Sequence, residues 1–364
     1  MESGIPDERP YWVAFLTVPY VGPARMRRLL ECFGSLEVAW KQDAATLKPL
    51  LDERGLQGLL DTRRTLDPMR MMESFEKQQI RVTTLNDPEY PRLLREIPAP
   101  PPVLFHQGEF HDLDSQSVAI VGTRRMSGYG RELTARIAGD LARSGVTIVS
   151  GLARGVDGVA HRAALDAGGR TIAVLGGGLN RMYPAEHTGL ARQISESGVV
   201  MSEYLPDTTA SARHFPARNR IISGLSLGIV VTEAPERSGA LITVDFAADQ
   251  GRDVFAVPGN VGLSNSAGCL NLLRDGARLV RSAEDVLEDL RIGAATPAPV
   301  EIQQQLVMNE DQRRLLAVMS SSPHHIDDLA AEANLPVSQV SVLLMTMELQ
   351  GMVRNAGAQH YLRL

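Results

Sequence analysis

The sequence predicts an α/β protein: a parallel, doubly wound sheet preceded by a small helical domain and followed by a winged helix. Short apolar runs recur at 118–121, 146–150, 171–175, 198–203, 228–232, 253–257 and 277–280. Stretches with helical spacing of apolar residues separate most of them, at 130–143, 157–167, 186–197, 217–225, 239–250 and 282–290. Strands this short and this apolar, alternating with helices, belong to parallel sheets covered on both faces. Such sheets bind ligands beyond the carboxyl ends of their strands.

Residues 1–79 read as the helical domain, with apolar residues at helical spacing in 24–33 and 56–66. Within it, VPYVGPARMRRLL (18–30) resembles a helix-hairpin-helix turn, which aims backbone N–H groups at a DNA phosphate. Tyr20 stands where such turns usually have their first glycine, and a purely structural helical turn is the plainer alternative. Residues 80–291 form the sheet domain. Its lead-in, 80–116, is a proline-rich connector, because DPEYP (87–91) and PAPPP (98–102) cannot continue a helix. Residues 292–305 have linker composition. Residues 306–364 read as helices at 309–321, 325–333 and 336–350 and then a short hairpin, the order of a winged helix.

Composition excludes several classes. No apolar run approaches the roughly 18–20 residues of a membrane span. The N-terminus lacks the apolar core of a secretory signal. Cys32 and Cys269 cannot make a disulfide framework or a thiolate metal site. The expected compartment is the cytoplasm, with no membrane partner. The 37 basic residues include only three lysines, Lys41, Lys48 and Lys77. A phosphate-binding loop of the Walker type needs a lysine, so any phosphate site beyond residue 77 must use arginine, backbone N–H groups or helix N-termini. The net charge is −6, yet residues 117–225 carry 13 basic and 8 acidic residues. A basic segment on an acidic protein is an electrostatic footprint for a polyanion.

The basic residues fall at predicted strand ends. The first strand runs into Gly122, Thr123, Arg124 and Arg125, just before a helix. Glycine lets the backbone approach an anion, and the helix N-terminus favours negative charge. The second ends at Ser150-Gly151, with Arg154 following and no acid for a nicotinamide ribose. Asp157 and His161, at i and i+4 on the next helix, have the spacing of an acid–base or metal pair. No third ligand is near, so Asp157 reads as a cap or dipole partner and His161 as an anchor of the turn. The third strand ends in three glycines, 176–178. Farther on, HFPARNRIISGLS (214–226) opens a helix with Phe215, Arg218, Asn219 and Arg220, with Arg213 and His214 just before. Tyr129, Tyr183, Tyr204 and Phe215 lie near these turns. Several anion-seeking turns on one sheet edge suit a ligand with several phosphates, and aromatics beside them suit stacked bases. Arg124, Arg218 and Arg220 are expected to be exposed and to line one groove. The alternative makes them structural partners of acids such as Asp157 or Glu203.

At these residues the sequence resembles the bacterial DNA-processing protein A family, DprA or Smf. The matching segments are VAIVGTRRMSGYG, SGLARGVDGVAH, TIAVLGGGLNRMYP, HFPARNRIISGLS, EAPERSGALIT and GRDVFAVPG, with DPEYPRLLREIPAPPPVLF upstream. One departure is GCLNLLRDGA (268–277), with Leu270 where the family has Asn and Asn271 one later. The resemblance implies an extended Rossmann-like domain that binds single-stranded DNA, with Gly122, Thr123, Arg124, Arg218, Asn219 and Arg220 as contacts. It also implies a homodimer that loads the RecA recombinase onto incoming DNA during natural transformation, displacing or bypassing single-strand-binding protein. A sterile-alpha-motif-like N-terminal domain and a C-terminal winged helix are common in the family. No cofactor, metal or catalytic group is expected. The alternative is a nucleotide-binding or nucleotide-processing enzyme on the same sheet, with Glu233 and the Asp157/His161 pair as its candidate residues.

Overall fold

The computed structural model describes residues 7–292, 310–320, 323–349, 353–357 and 359–363. The chain divides into two compact units, Met1–Ala294 and Ala295–Leu364. Beyond residue 292, the linker expected at 292–305 lies outside the described residues.

The first unit opens with helices α1 (Arg9–Thr17), α2 (Pro23–Phe33), α3 (Leu36–Lys41), α4 (Ala44–Leu47), α5 (Glu53–Thr65) and α6 (Pro68–Lys77). Their boundaries follow from caps. Ser35, Asp43, Asp52 and Asp67 each accept a hydrogen bond from a backbone N–H of the first turn that follows. Tyr20, in the turn between α1 and α2, has φ +63°, the left-handed backbone that a glycine would adopt more easily. These helices are not set apart from the sheet. Trp12, Phe15, Leu29 and Phe75 share one core with Val82, Phe105, Leu175 and Val200. The rings of Phe75 and Phe105 meet edge-on at 5.6 Å. Burying each such side chain contributes roughly 1.5–3 kcal/mol.

A nine-stranded sheet follows: β1 (Arg81–Thr84), β2 (Val103–Gly108), β3 (Ser117–Val121), β4 (Thr147–Ser150), β5 (Thr171–Val174), β6 (Val199–Ser202), β7 (Gly228–Val231), β8 (Asp253–Ala256) and β9 (Arg278–Leu279). Their spatial order is β1-β2-β6-β5-β4-β3-β7-β8-β9. The seven strands expected from the sequence are all present and mutually parallel. β1 and β2 lie inside the segment read as a connector. They form an antiparallel pair from Arg81↔His106 to Thr84↔Val103, and β2 pairs antiparallel with β6. The prolines at 98–102 sit between the two strands rather than in them. Proline is therefore excluded from the ladder but not from the hairpin's connection.

Helices α7 (Arg92–Arg95), α8 (Gly128–Arg143), α9 (Val156–Asp166), α10 (Thr188–Ser197), α11 (His214–Gly224), α12 (Gly239–Asp249), α13 (Ala267–Arg274) and α14 (Ala283–Asp289) cover the sheet. On one face Val118, Ile120, Ile148 and Phe255 pack against Ile137 and Leu141 of α8, Ala160 of α9 and Val286 of α14. On the other, Val121, Ile229 and Val231 pack against Leu94 of α7, Ile221 and Ile222 of α11, Val244 of α12 and Cys269 of α13. From β3 the chain crosses through α8 to β4 on one side. It returns through α11 to β7 on the other, so the winding reverses between β3 and β7.

The second unit contains α15 (Glu310–Val318), β10 (His324–His325), α16 (Ile326–Ala333), α17 (Val337–Leu349), β11 (Val353–Gly357) and β12 (His360–Arg363). Its three strands are ordered β10-β12-β11. Leu315, Leu329, Val340, Leu344 and Met347 form its core. The outer face of α17 exposes Val342 and Met345, and the helix carries no Lys or Arg.

Candidate nucleic-acid interface

A crevice must open where the winding reverses, because the chain leaves β3 and β7 in different directions. Val121 and Val231 are register partners at the strand ends. The loops that follow are tied by Thr123 N–H donating to the Glu233 carbonyl at 2.7 Å. Gly122 is required for this approach. A Cβ there would lie 2.7 Å from that carbonyl oxygen and 2.6 Å from Val156 Cγ2. The Glu233 carboxylate accepts from Ser127 N–H at 2.8 Å, and Ser127 Oγ accepts from Gly130 N–H at 3.0 Å, capping α8. The Gly122–Arg125 loop is thus held from both sides.

The crevice widens into a cleft of about 880 Å³, bordered by Arg124, Arg125, Tyr183, Phe215, Arg237 and Asn265. The Arg124 guanidinium lies over the Phe215 ring, 5.4 Å from its centroid, and the Tyr183 ring is 5.5 Å from that of Phe215. Phe215 can reach this position because Gly176 has no side chain; a Cβ there would lie 2.7 Å from the ring. Arg124, Arg125 and Arg237 are exposed and have no acidic partner among the described residues. The wall therefore combines unneutralised arginines with flat aromatic faces. Asn265 steadies it by donating to the Arg125 carbonyl at 2.9 Å.

The expectation that Arg124, Arg218 and Arg220 are exposed together in one groove is corrected by the structure. Arg218 is only 4% exposed and sits in the cleft floor. Its Nη1 donates to the carbonyls of Gly151, at 2.8 Å, and of Val174. Burial lowers its pKa to about 10. Its Nη2 makes no hydrogen bond among the described residues. Arg220 does not line the cleft. It pairs with Glu203 at 2.6 Å, both side chains largely buried. Asn219 lines the cleft and donates to the Gly239 carbonyl at 3.3 Å. Gly151 and Arg154 border a narrow recess at the cleft's edge with Arg124, Tyr183 and Phe215, and Arg154 is paired with Glu186. Arg213 is exposed outside the cleft. Tyr129 and Tyr204 are also outside; Tyr204 stacks on His214 at 4.2 Å. Arg237 escapes sequence reasoning. Its one signal is its place in the turn after β7, two residues before a helix.

The three candidate acid–base residues do not converge on the cleft as a reacting group. Asp157 accepts from the N–H groups of Gly151 and Ala153 at 3.2 and 3.3 Å, pinning the loop after β4. Burial raises its carboxyl above the usual range, opposed by Arg218. His161 is fully buried, its Nδ1 2.7 Å from Thr171 Oγ1, and burial lowers its pKa to about 3. Glu233 is occupied by Ser127 N–H. Among the described residues, no group of three or more His, Cys, Asp or Glu is placed to hold a metal.

Fold and cleft define a doubly wound α/β protein whose reversal point presents arginines and aromatic rings to a ligand. The model of the DNA recombination-mediator protein A family matches residues 81–291, and that of the DprA winged helix domain matches residues 294–358. The chain is 35% identical to protein Smf of Synechocystis sp., over 98% of this chain and 99% of that one. It is 41% identical to DNA processing protein DprA of Bacillus subtilis, over 61% and 75%. The structure of DNA processing protein A from Streptococcus pneumoniae superposes with a TM-score of 0.68 at 36% identity, covering 77% of this chain and 97% of that one. That of the Helicobacter pylori protein, described for its single-stranded DNA binding mode, gives 0.53 at 30% identity, covering 58% and 96%. The chain belongs to the DNA recombination-mediator protein A family.

Proposed function

We propose that this protein binds single-stranded DNA in the cleft at the reversal point and hands the strand to RecA. The observation that carries the reading is Arg124 lying over Phe215 beside Tyr183, in a wall whose arginines Arg124, Arg125 and Arg237 have no acidic partner among the described residues. Bases of an unpaired strand stack on the aromatic faces, while the arginines meet its phosphates. A duplex hides its base faces, so single strands are preferred. Arg218 and Asn219 form the floor, where Nη2 of Arg218 can meet a phosphate from below. Arg220, Arg213 and Arg154 act at the margin, on the shape and potential of the site. The single-stranded DNA binding described for the Helicobacter pylori relative supports the same choice of ligand.

Delivery to RecA, passage past single-strand-binding protein, action as a homodimer and a role in natural transformation rest on family membership. So does the cytoplasm as the place of action; among the described residues no helix is long and apolar enough to cross a membrane. The protein acts by binding rather than turnover, a reading supported by the structural engagement of Asp157, His161 and Glu233. Fluorescence anisotropy with single- and double-stranded DNA across a salt range tests the first step. RecA-driven strand exchange on DNA coated with single-strand-binding protein tests the second. Equal affinity for both DNA forms, or no acceleration of exchange by RecA of the same organism, refutes the corresponding part.

A further inference from the structure

On the other side of the Gly122–Arg125 loop, between α8 and α9, lies a smaller hollow of about 260 Å³. Arg124, Arg125, Arg131, Arg154, Arg162 and His187 line it. Arg131 comes from the first turn of α8 and Arg162 from α9. Arg154 is neutralised by Glu186, but Arg124, Arg125, Arg131 and Arg162 have no acidic partner among the described residues. Four unneutralised guanidinium groups around one concavity repel each other unless an anion occupies it. The hollow falls below the ~300–1,000 Å³ of pockets that enclose small molecules. No Phe, Tyr or Trp lines it, so it offers no ring on which a base would stack. Arg124 and Arg125 line both the hollow and the cleft. A strand leaving the cleft can therefore cross their loop without a gap in positive charge.

We propose that this hollow is a phosphate-only extension of the strand-binding site. It takes the backbone of the same single strand as it leaves the cleft, while the bases point to solvent. The inference rests on the cleft binding single-stranded DNA. It adds a length dependence that the cleft alone does not have. Strands long enough to reach the hollow gain affinity through charge, with no preference for base sequence. Guanidinium forks suit phosphate oxygens, and lysine substitutes there only as a point charge.

The test uses the full chain, an Arg131→Gln/Arg162→Gln double variant, and oligothymidylates from about 4 to about 16 nucleotides, spanning the site sizes of single-strand binders. Both arginines are exposed on helix surfaces, and a melting curve confirms that the variant folds. The variant should match the parent on the shortest oligonucleotide that the parent binds and fall behind as length increases. Its slope of log affinity against log salt should be smaller by about 0.7 for each phosphate that the variant no longer neutralises. For two phosphates, the parent-to-variant affinity ratio then falls about sevenfold between about 50 and 200 mM salt. Arg131→Lys/Arg162→Lys should recover most of the length effect. Identical affinity and salt slope at every length overturns the proposal, as does a loss already complete on the shortest strand. Failure of the cleft reading looks different: the parent binds no oligonucleotide, or Arg124→Ala leaves short-strand affinity intact.

Discussion

Arg124 and Arg218 belong to one arginine-rich cleft, yet their removal should have opposite consequences. Arg218→Ala deletes the donor to the carbonyls of Gly151 and Val174 and removes the positive charge that opposes the desolvation of the buried Asp157. Breaking a buried charged partnership on one side costs about 3–5 kcal/mol, because the remaining groups stay desolvated. At about 2–4 °C per kcal/mol for large domains, the melting temperature should fall by roughly 6–20 °C. Arg124→Ala removes an exposed guanidinium that lies over the Phe215 ring, an arrangement worth about 0.5–1 kcal/mol at an exposed site. The melting temperature should therefore fall by no more than about 4 °C. Its binding loss should be much larger. Losing a charge-assisted hydrogen bond to a phosphate costs roughly 1–3 kcal/mol, or about 5- to 150-fold in affinity. The salt slope should shrink by about 0.7 per phosphate. Differential scanning fluorimetry and salt-titrated anisotropy on the same two variants separate the effects. If Arg218→Ala keeps the parent melting temperature while Arg124→Ala unfolds the protein, the assignment of clamp and contact is wrong.

The Arg220–Glu203 pair should show favourable coupling of about 0.5–3 kcal/mol in a stability double-mutant cycle; additive losses would mean the ion pair contributes nothing. His161 and His106 are held neutral by burial, with pKa values lowered to about 3 and about 4 from 6.5. The unfolded chain binds their protons below pH 6.5 and the native one does not, so each depresses stability as pH falls from 6.5 toward its folded value. At pH 5 each accounts for about 2 kcal/mol of lost stability relative to pH 7, so His161→Gln should reduce the acid-induced loss by about that amount; the buried carboxylates Asp157 and Glu203 titrate in both proteins and cancel. An unchanged pH profile would show that His161 is not desolvated. Truncation after Arg291 should leave single-strand affinity within about threefold, since α17 carries no basic residue with which to attract phosphate; a hundredfold loss would make the winged helix a principal DNA binder.

The five central parallel strands, β3 to β7, were legible because every residue in them is buried, so no charge interrupts the run, as in Val118–Val121 and Val199–Met201; the edge strands β8 and β9, half-buried and exposed, were marked by their spacing from the helices around them. β1 and β2 were not legible. Proline dominates composition around them, and composition does not show that the prolines lie between the strands. The glycine turns marked the cleft because close backbone approach leaves a sequence trace. The roles of the individual arginines leave none. Arg218 and Arg220 look equivalent in ARNR, but two positions on a helix differ by about 200° in direction. One therefore points under the sheet's edge to Gly151, and the other back to Glu203 at the end of β6. Arg131 and Arg162 stay hidden in the sequence for the same reason. A single charge on a helix reads as a solvated face until the neighbouring helix is known to bring another beside it.

The absence of lysine from residues 80–291 has a structural counterpart. Lysine offers one ammonium on a flexible stem, whereas guanidinium offers five N–H donors in a plane. Arg218 uses Nη1 to hold two carbonyls from neighbouring strand ends and Nε to meet Asn219, while Nη2 makes no hydrogen bond among the described residues. Arg124 holds its guanidinium over Phe215, 5.4 Å from the ring centroid, and keeps its charge there. Arg220 is largely buried and meets Glu203 through Nη2 alone. Such tasks use a broad group with donors spread over it, whereas an ammonium gathers its three donors on a single atom. Charge-conserving Arg→Lys exchanges should therefore damage Arg218 and Arg124 almost as much as alanine does. In the α8–α9 hollow, where the requirement is positive charge alone, they should be tolerated. That contrast separates the part of this surface that is shaped for its ligand from the part that only attracts it.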